Sequence, residues 1–98
     1  FRLSHGECVA IGMVVEAQLA ETIGLAEPGL VDTIRSTLAG LGLPVEIPED
    51  LPRDQIVAAM GYDKKRSAGQ VRFALPVHIG EVQTGVEVAG WQDIIMGL

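Results

Sequence analysis

Between Cys8 and Val15 the chain carries no charge, and from Glu16 onward polar and apolar positions interleave at helical spacing. This pattern predicts a helix from about Ser4 to Ile23. Its first half is expected to be apolar on all faces and buried, its second half amphipathic. Ser4 and Glu7 head the segment in the S-x-x-E spacing of a capping box. In that motif the hydroxyl accepts from the N3 amide and the carboxylate reaches back to the N-cap N–H. Gly24 follows the last apolar position as a helix stop. Gly12 lies inside the helix, where glycine costs about 1 kcal/mol relative to alanine. Its presence predicts the close approach of another backbone.

A second helix is expected to begin near Pro28, a favoured first-turn residue. Leu30, Ile34, Leu38 and Leu41 then recur at helical spacing, and Gly40, Gly42 and Pro44 end the element. The stretch VEIPEDLP, with two prolines and three acids, reads as a surface connection. A third helix follows from about Pro52 to Tyr62, with Ile56, Val57 and Met60 inward. After the polar loop DKKRSAGQ the period changes to two. Val71, Phe73 and Leu75 mark one short strand, and Val82, Thr84, Val86 and Val88 mark another. Pro76 and Gly80 read as the connection between them, with His78 in the loop, and an antiparallel hairpin is the simplest pairing. Trp91 to Met96 predicts a short terminal helix. The expected fold is therefore mainly α with a short antiparallel β-hairpin, formed as a single domain over residues 1–98.

Composition agrees with a folded chain, since 48% of residues are apolar and 20% charged. Only four aromatics are present, so aliphatic side chains, Ala and Gly must fill the interior. No apolar run approaches the ~20 residues of a membrane span, and no signal-peptide pattern opens the chain. The single cysteine, Cys8, has no internal partner, and its place in an apolar helix fits an inert core thiol in a reducing cytoplasm. A net charge of −6 opposes non-specific nucleic-acid binding. The charge is uneven: residues 1 to 50 carry eight acids and two arginines, whereas Lys64, Lys65, Arg66 and Arg72 cluster within nine residues. Such a basic patch can hold a small anion, though most charge runs are simply solvated.

Two groups could carry chemistry. His5 stands at about the first helical position, where the helix dipole favours the neutral, metal-binding form of an imidazole. A lone histidine at a helix start is more often a surface or capping residue. No second histidine or cysteine stands at ligand spacing, so any metal site would need ligands from elsewhere. Asp63-Lys64-Lys65 could orient a phosphate or carboxylate, but no glycine-rich phosphate loop accompanies it. Phe1 in place of an initiating Met, and the dense motif directly behind it, read as a piece of a longer chain.

Taken together, these strings resemble the C-terminal domain of the 3-dehydroquinate synthase family. The match rests on SHGECVAIGM and on Met60, Asp63-Lys64-Lys65, Gly69 and Phe73 in the spacing M-x-x-DKK-x-x-x-G-x-x-x-F. It extends through IGLAEPG, the GLP turn at 42–44 and HIGEV at 78–82. The resemblance implies that His5 is one of three protein ligands to a catalytic divalent metal, zinc or cobalt. It implies that Lys64, with Lys65 as its neighbour, contacts an anionic sugar-phosphate substrate, 3-deoxy-D-arabino-heptulosonate 7-phosphate. NAD would be held by an N-terminal Rossmann-like domain absent from these residues, as would the other metal ligands. The implied reaction yields 3-dehydroquinate and phosphate in the shikimate pathway. The 98 residues alone are expected to be inactive and to cover their apolar surface by self-association. A domain of a related sugar-phosphate cyclase and a non-catalytic helical interaction module are the competing readings.

Overall fold

The computed structural model describes residues 4–58 and 71–98. In chain order its elements are α1 (His5–Thr22), α2 (Leu30–Gly40), α3 (helical over residues 53–58, up to the edge of the described segment), β1 (Phe73–His78), β2 (Glu81–Val86) and α4 (Trp91–Met96). The architecture is mainly α with one antiparallel hairpin, as the periodicity predicts.

α1 is the axis on which the rest packs. Ile11, Val15, Leu19 and Ala20 from α1 join Leu30 of α2, Phe73 and Leu75 of β1, and Trp91 and Ile95 of α4 in one buried cluster. Within it the rings of Phe73 and Trp91 meet edge to face, with centroids 5.6 Å apart and planes at 68°. That geometry sets a ring's positive edge against the other's negative face. A smaller cluster of Ala10, Val14 and Leu38 closes the contact between α1 and α2.

Local chemistry explains the connections. Gly24, at φ +78°, reverses the chain after α1, and the amides of Leu25 and Ala26 both donate to the Ala20 carbonyl. α2 begins at Leu30, two residues after the expected start, with Gly29 as its N-cap and no side-chain cap of its own. Its first turn is completed from outside: the Val31 amide donates to Glu21 Oε2 of α1 at 2.6 Å. A carboxylate at that helix end is doubly favourable, because it accepts an orphan N–H and meets the positive end of the dipole.

The hairpin differs in detail from its expected form. Pro76 lies within β1 opposite Val82, so the turn is the Ile79–Gly80 pair, and His78 ends β1 opposite Glu81. In a two-stranded ribbon each strand has one unpaired edge, which leaves room for a proline. Two register shifts distort the ladder. In the first, two residues of β2 stand against Ala74 alone, and one of them, Gly85, has φ +67°, as a glycine bulge requires. β2 is exposed along nearly its whole length, and the buried face of the hairpin belongs to β1.

The expectation that residues 8–15 are buried on all sides does not hold. Ala10, Ile11, Val14 and Val15 are buried, whereas Cys8, Val9 (46% exposed) and Met13 (43%) face outward. Cys8 is therefore not a core thiol. Nothing among the described residues lies within 4 Å of where a Cβ on Gly12 would sit, so the predicted backbone approach is absent there. Leu41, expected to continue the apolar stripe of α2, is its C-cap and is 70% exposed. Among the described residues no helix is long and apolar enough to cross a membrane.

Candidate functional site

The site begins at the N-terminus of α1. Ser4 is the N-cap, in extended backbone at φ −69° and ψ 164°. Both halves of the capping box form: the Glu7 amide donates to Ser4 Oγ at 3.1 Å, and the Ser4 amide donates to Glu7 Oε1 at 2.9 Å. The Ser4 amide, and after it the Ser4 hydroxyl, hold the Glu7 carboxyl below its ordinary pKa. An acceptor that is charged gains more from an N–H than a neutral one does.

His5 is the first residue of α1 and is exposed. With Glu7 engaged in the cap, the imidazole is the donor this helix start offers outward. His5, Val9 and Met13 follow each other at intervals of four and share one exposed side of α1. Cys8 flanks that side. Among the described residues no group of three His, Cys, Asp or Glu side chains could hold a metal ion. His5 is thus an exposed imidazole on the first turn of a capped helix, with no group of candidate ligands around it among the described residues. Lys64, Lys65 and the remainder of the DKK motif from Met60 to Gly69 lie outside the described residues. Phe73, the last residue of that motif, is fully in the core, so its part in the pattern is packing.

Two polar arrangements carry no local motif. Glu21 caps α2 across ten residues of sequence, with no helix-start spacing to announce it. His78, which the periodicity places in a loop, is held at the end of β1. Its Nδ1 is 2.8 Å from the Ile79 carbonyl and its Nε2 is 3.1 Å from Glu81 Oε1. Two acceptors at the two ring nitrogens suit the doubly protonated ring. Its pKa is raised, chiefly by the Ile79 carbonyl, with Glu81 and Glu27 adding charge attraction against some desolvation.

Comparison with known proteins places these features in a family. The family model described as 3-dehydroquinate synthase C-terminal matches residues 1–66, which include His5 and the DKK lysines. A 3-dehydroquinate synthase of Synechocystis is 44% identical over 80 residues, covering 82% of this chain and 22% of the relative. The enzyme of that name from Xanthomonas oryzae pv. oryzae is 40% identical over 97 residues, covering 97% of the chain and 26% of the relative. One from Nostoc punctiforme is 39% identical over 93 residues, or 95% of the chain and 25% of the relative. The chain spans about a quarter of the length of these curated relatives. A match that runs through the capping box, α1, α2 and the DKK segment leaves one assignment: the chain belongs to the 3-dehydroquinate synthase family.

Proposed function

We propose that the chain is the C-terminal, metal- and substrate-contributing part of a cytoplasmic 3-dehydroquinate synthase, a lyase of the shikimate pathway. The complete enzyme converts 3-deoxy-D-arabino-heptulosonate 7-phosphate to 3-dehydroquinate and phosphate. The observation that carries the reading is His5, set outward on a capped helix start inside the segment matched to the family's C-terminal model.

In this reading the capping box fixes the first turn of α1, so the His5 ring projects from a backbone that does not fray. His5 contributes one nitrogen ligand to a divalent metal, zinc or cobalt, and the remaining protein ligands come from other parts of the enzyme. When bound, that metal supplies Lewis acidity to the substrate oxygens that undergo oxidation. Lys64 presents an ammonium group to the anionic substrate, with Lys65 beside it as a second candidate contact. NAD binds in another domain of the enzyme, and the apolar side of α1 around Val9 and Met13 meets protein in the assembled molecule.

A chimera tests this directly: the chain replaces the corresponding C-terminal quarter of the Synechocystis relative. We expect phosphate release that depends on NAD and on added zinc. His5→Ala should lower it by about a hundredfold or more and lower zinc content with it. Lys64→Ala should chiefly raise KM. An active chimera that tolerates His5→Ala would remove the metal role. A folded chimera that turns over a different sugar phosphate in place of the heptulosonate would favour a related cyclase. One that folds and binds NAD but neither holds zinc nor turns over either sugar phosphate would favour an interaction module.

A further inference from the structure

On the side of α1 away from His5 lies an open cleft between α1, α2, α3 and the 45–47 segment. At 100° per residue, Val14 and Gln18, which line it, stand about 180° and 220° around α1 from His5. Arg35 of α2 and Arg53 of α3 converge on it, with Glu46 at its rim. The Nε atoms of both arginines are buried, and neither makes a hydrogen bond. Arg35 Nε is 3.4 Å from Glu46 Oε1, close enough for charge attraction, but its N–H is not directed at that oxygen. The Glu46 side chain is 76% exposed, so it holds the pair loosely and can swing aside. Arg53 has no ion-pair partner among the described residues.

Arg35 also has Asp32 Oδ1 at 3.6 Å from an Nη, on an 85% exposed side chain, so both of its carboxylate neighbours are solvated. Two guanidinium groups facing one cleft suit an acceptor that brings several oxygens at once. Guanidinium forks match carboxylate and phosphate geometry, and a buried N–H left unpaired costs more than the bond it would make. Size narrows the choice. The cleft has about 290 Å3 of empty space, part of it continuous with solvent. The enclosed part of it is only about 30 Å3, room for a group of a few heavy atoms and far less than the ~300–1,000 Å3 of pockets for drug-sized ligands. We propose that this cleft binds a small oxyanion, a phosphate or a carboxylate, between Arg35 and Arg53. Glu46 competes with the ligand for Arg35. Because α2 and α3 each supply one cation, the bound anion ties the two helices together across the 41–52 connection. The site is separate from His5 and does not depend on the catalytic reading.

Titration of inorganic phosphate into the 15N-labelled chain at constant ionic strength, followed at the arginine Nε–Hε resonances, tests the proposal. Acetate and sodium chloride form separate arms. Saturable shifts at both Arg35 and Arg53 are expected with phosphate or acetate and not with chloride, and the stronger of the two names the ligand class. Arg53→Gln should weaken binding by about tenfold, while Glu46→Gln should tighten it. If Arg53→Gln does not fold, Arg53→Lys keeps the charge and loses the planar fork, and should still bind more weakly. Shifts that never saturate, that chloride reproduces, or that survive Arg53→Lys and Arg53→Gln unchanged would overturn the site. Weaker binding in Glu46→Gln would overturn it too.

Discussion

At the scale of single residues, the head of α1 shows how one short string can serve two ends. Ser4 and Glu7 satisfy each other's backbone amides, and His5 between them is left to face outward. Ser4→Ala removes the hydroxyl acceptor, and loss of such a cap costs about 1 kcal/mol. Urea unfolding of Ser4→Ala should show that loss with an unchanged m-value, and a variant as stable as wild type would mean that α1 does not depend on its cap. Glu7 gives this cap a pH dependence of definite sign. Its folded pKa is depressed below the ordinary 4.5, so its contribution is present above that value and is lost as pH falls through the lower, folded one. His78 works in the opposite sense. Its folded pKa is raised above 6.5, so its contribution is complete below that value and is lost as pH rises through the higher, folded one. The imidazole of His78 should therefore titrate by NMR above the range of an unstructured peptide. His78→Gln should flatten the stability profile on the alkaline side of 6.5. A midpoint at or below the ordinary value would contradict the two-acceptor geometry.

At the scale of elements, what the sequence made legible was local and what it hid was not. The ends of α1, the extent of α4, the pairing of the hairpin and the capping box all follow from patterns within a few residues, and all are found. The orientation of α1 was hidden for a physical reason. With no charge between Cys8 and Val15, the run has no polar stripe to say which side faces water, so Cys8, Val9 and Met13 read as core. His5 could be named as a ligand candidate from its place at a helix start, but no second histidine or cysteine stands at ligand spacing from it. Lys64 and Lys65 stand on motif resemblance alone, since they lie outside the described residues. The cap on α2 was invisible because its carboxylate comes from another helix. Glu21→Ala leaves the Val31 amide, a partly buried donor, without its charged acceptor, and the expected loss is about 1–2 kcal/mol. Glu21→Gln keeps an oxygen acceptor and should lose less. Equal losses in calorimetric or denaturant unfolding would mean that charge, not the bond, holds the two helices together.

At the scale of the molecule, the exposed side of α1 leaves apolar side chains uncovered. Val9 and Met13 lie on the same side as His5, so the residue proposed to meet a metal is bordered along α1 by exposed apolar side chains. Apolar side chains around an intended ligand make sense if protein closes over them, because exclusion of water strengthens the electrostatics of a site. In the curated relatives this stretch is about a quarter of the whole, which leaves ample chain to supply the cover. The 98 residues by themselves should then neither release phosphate from the heptulosonate phosphate nor stay strictly monomeric. Sedimentation across a range of concentrations should show reversible association. Val9→Ser together with Met13→Ser should shift the balance toward monomer with little change in folding stability, since both side chains are already partly solvated. A wild-type chain that remains monomeric at high concentration would show that this surface is tolerated by water. NAD-dependent phosphate release by the chain alone would overturn the proposal that other parts of the enzyme supply the remaining ligands.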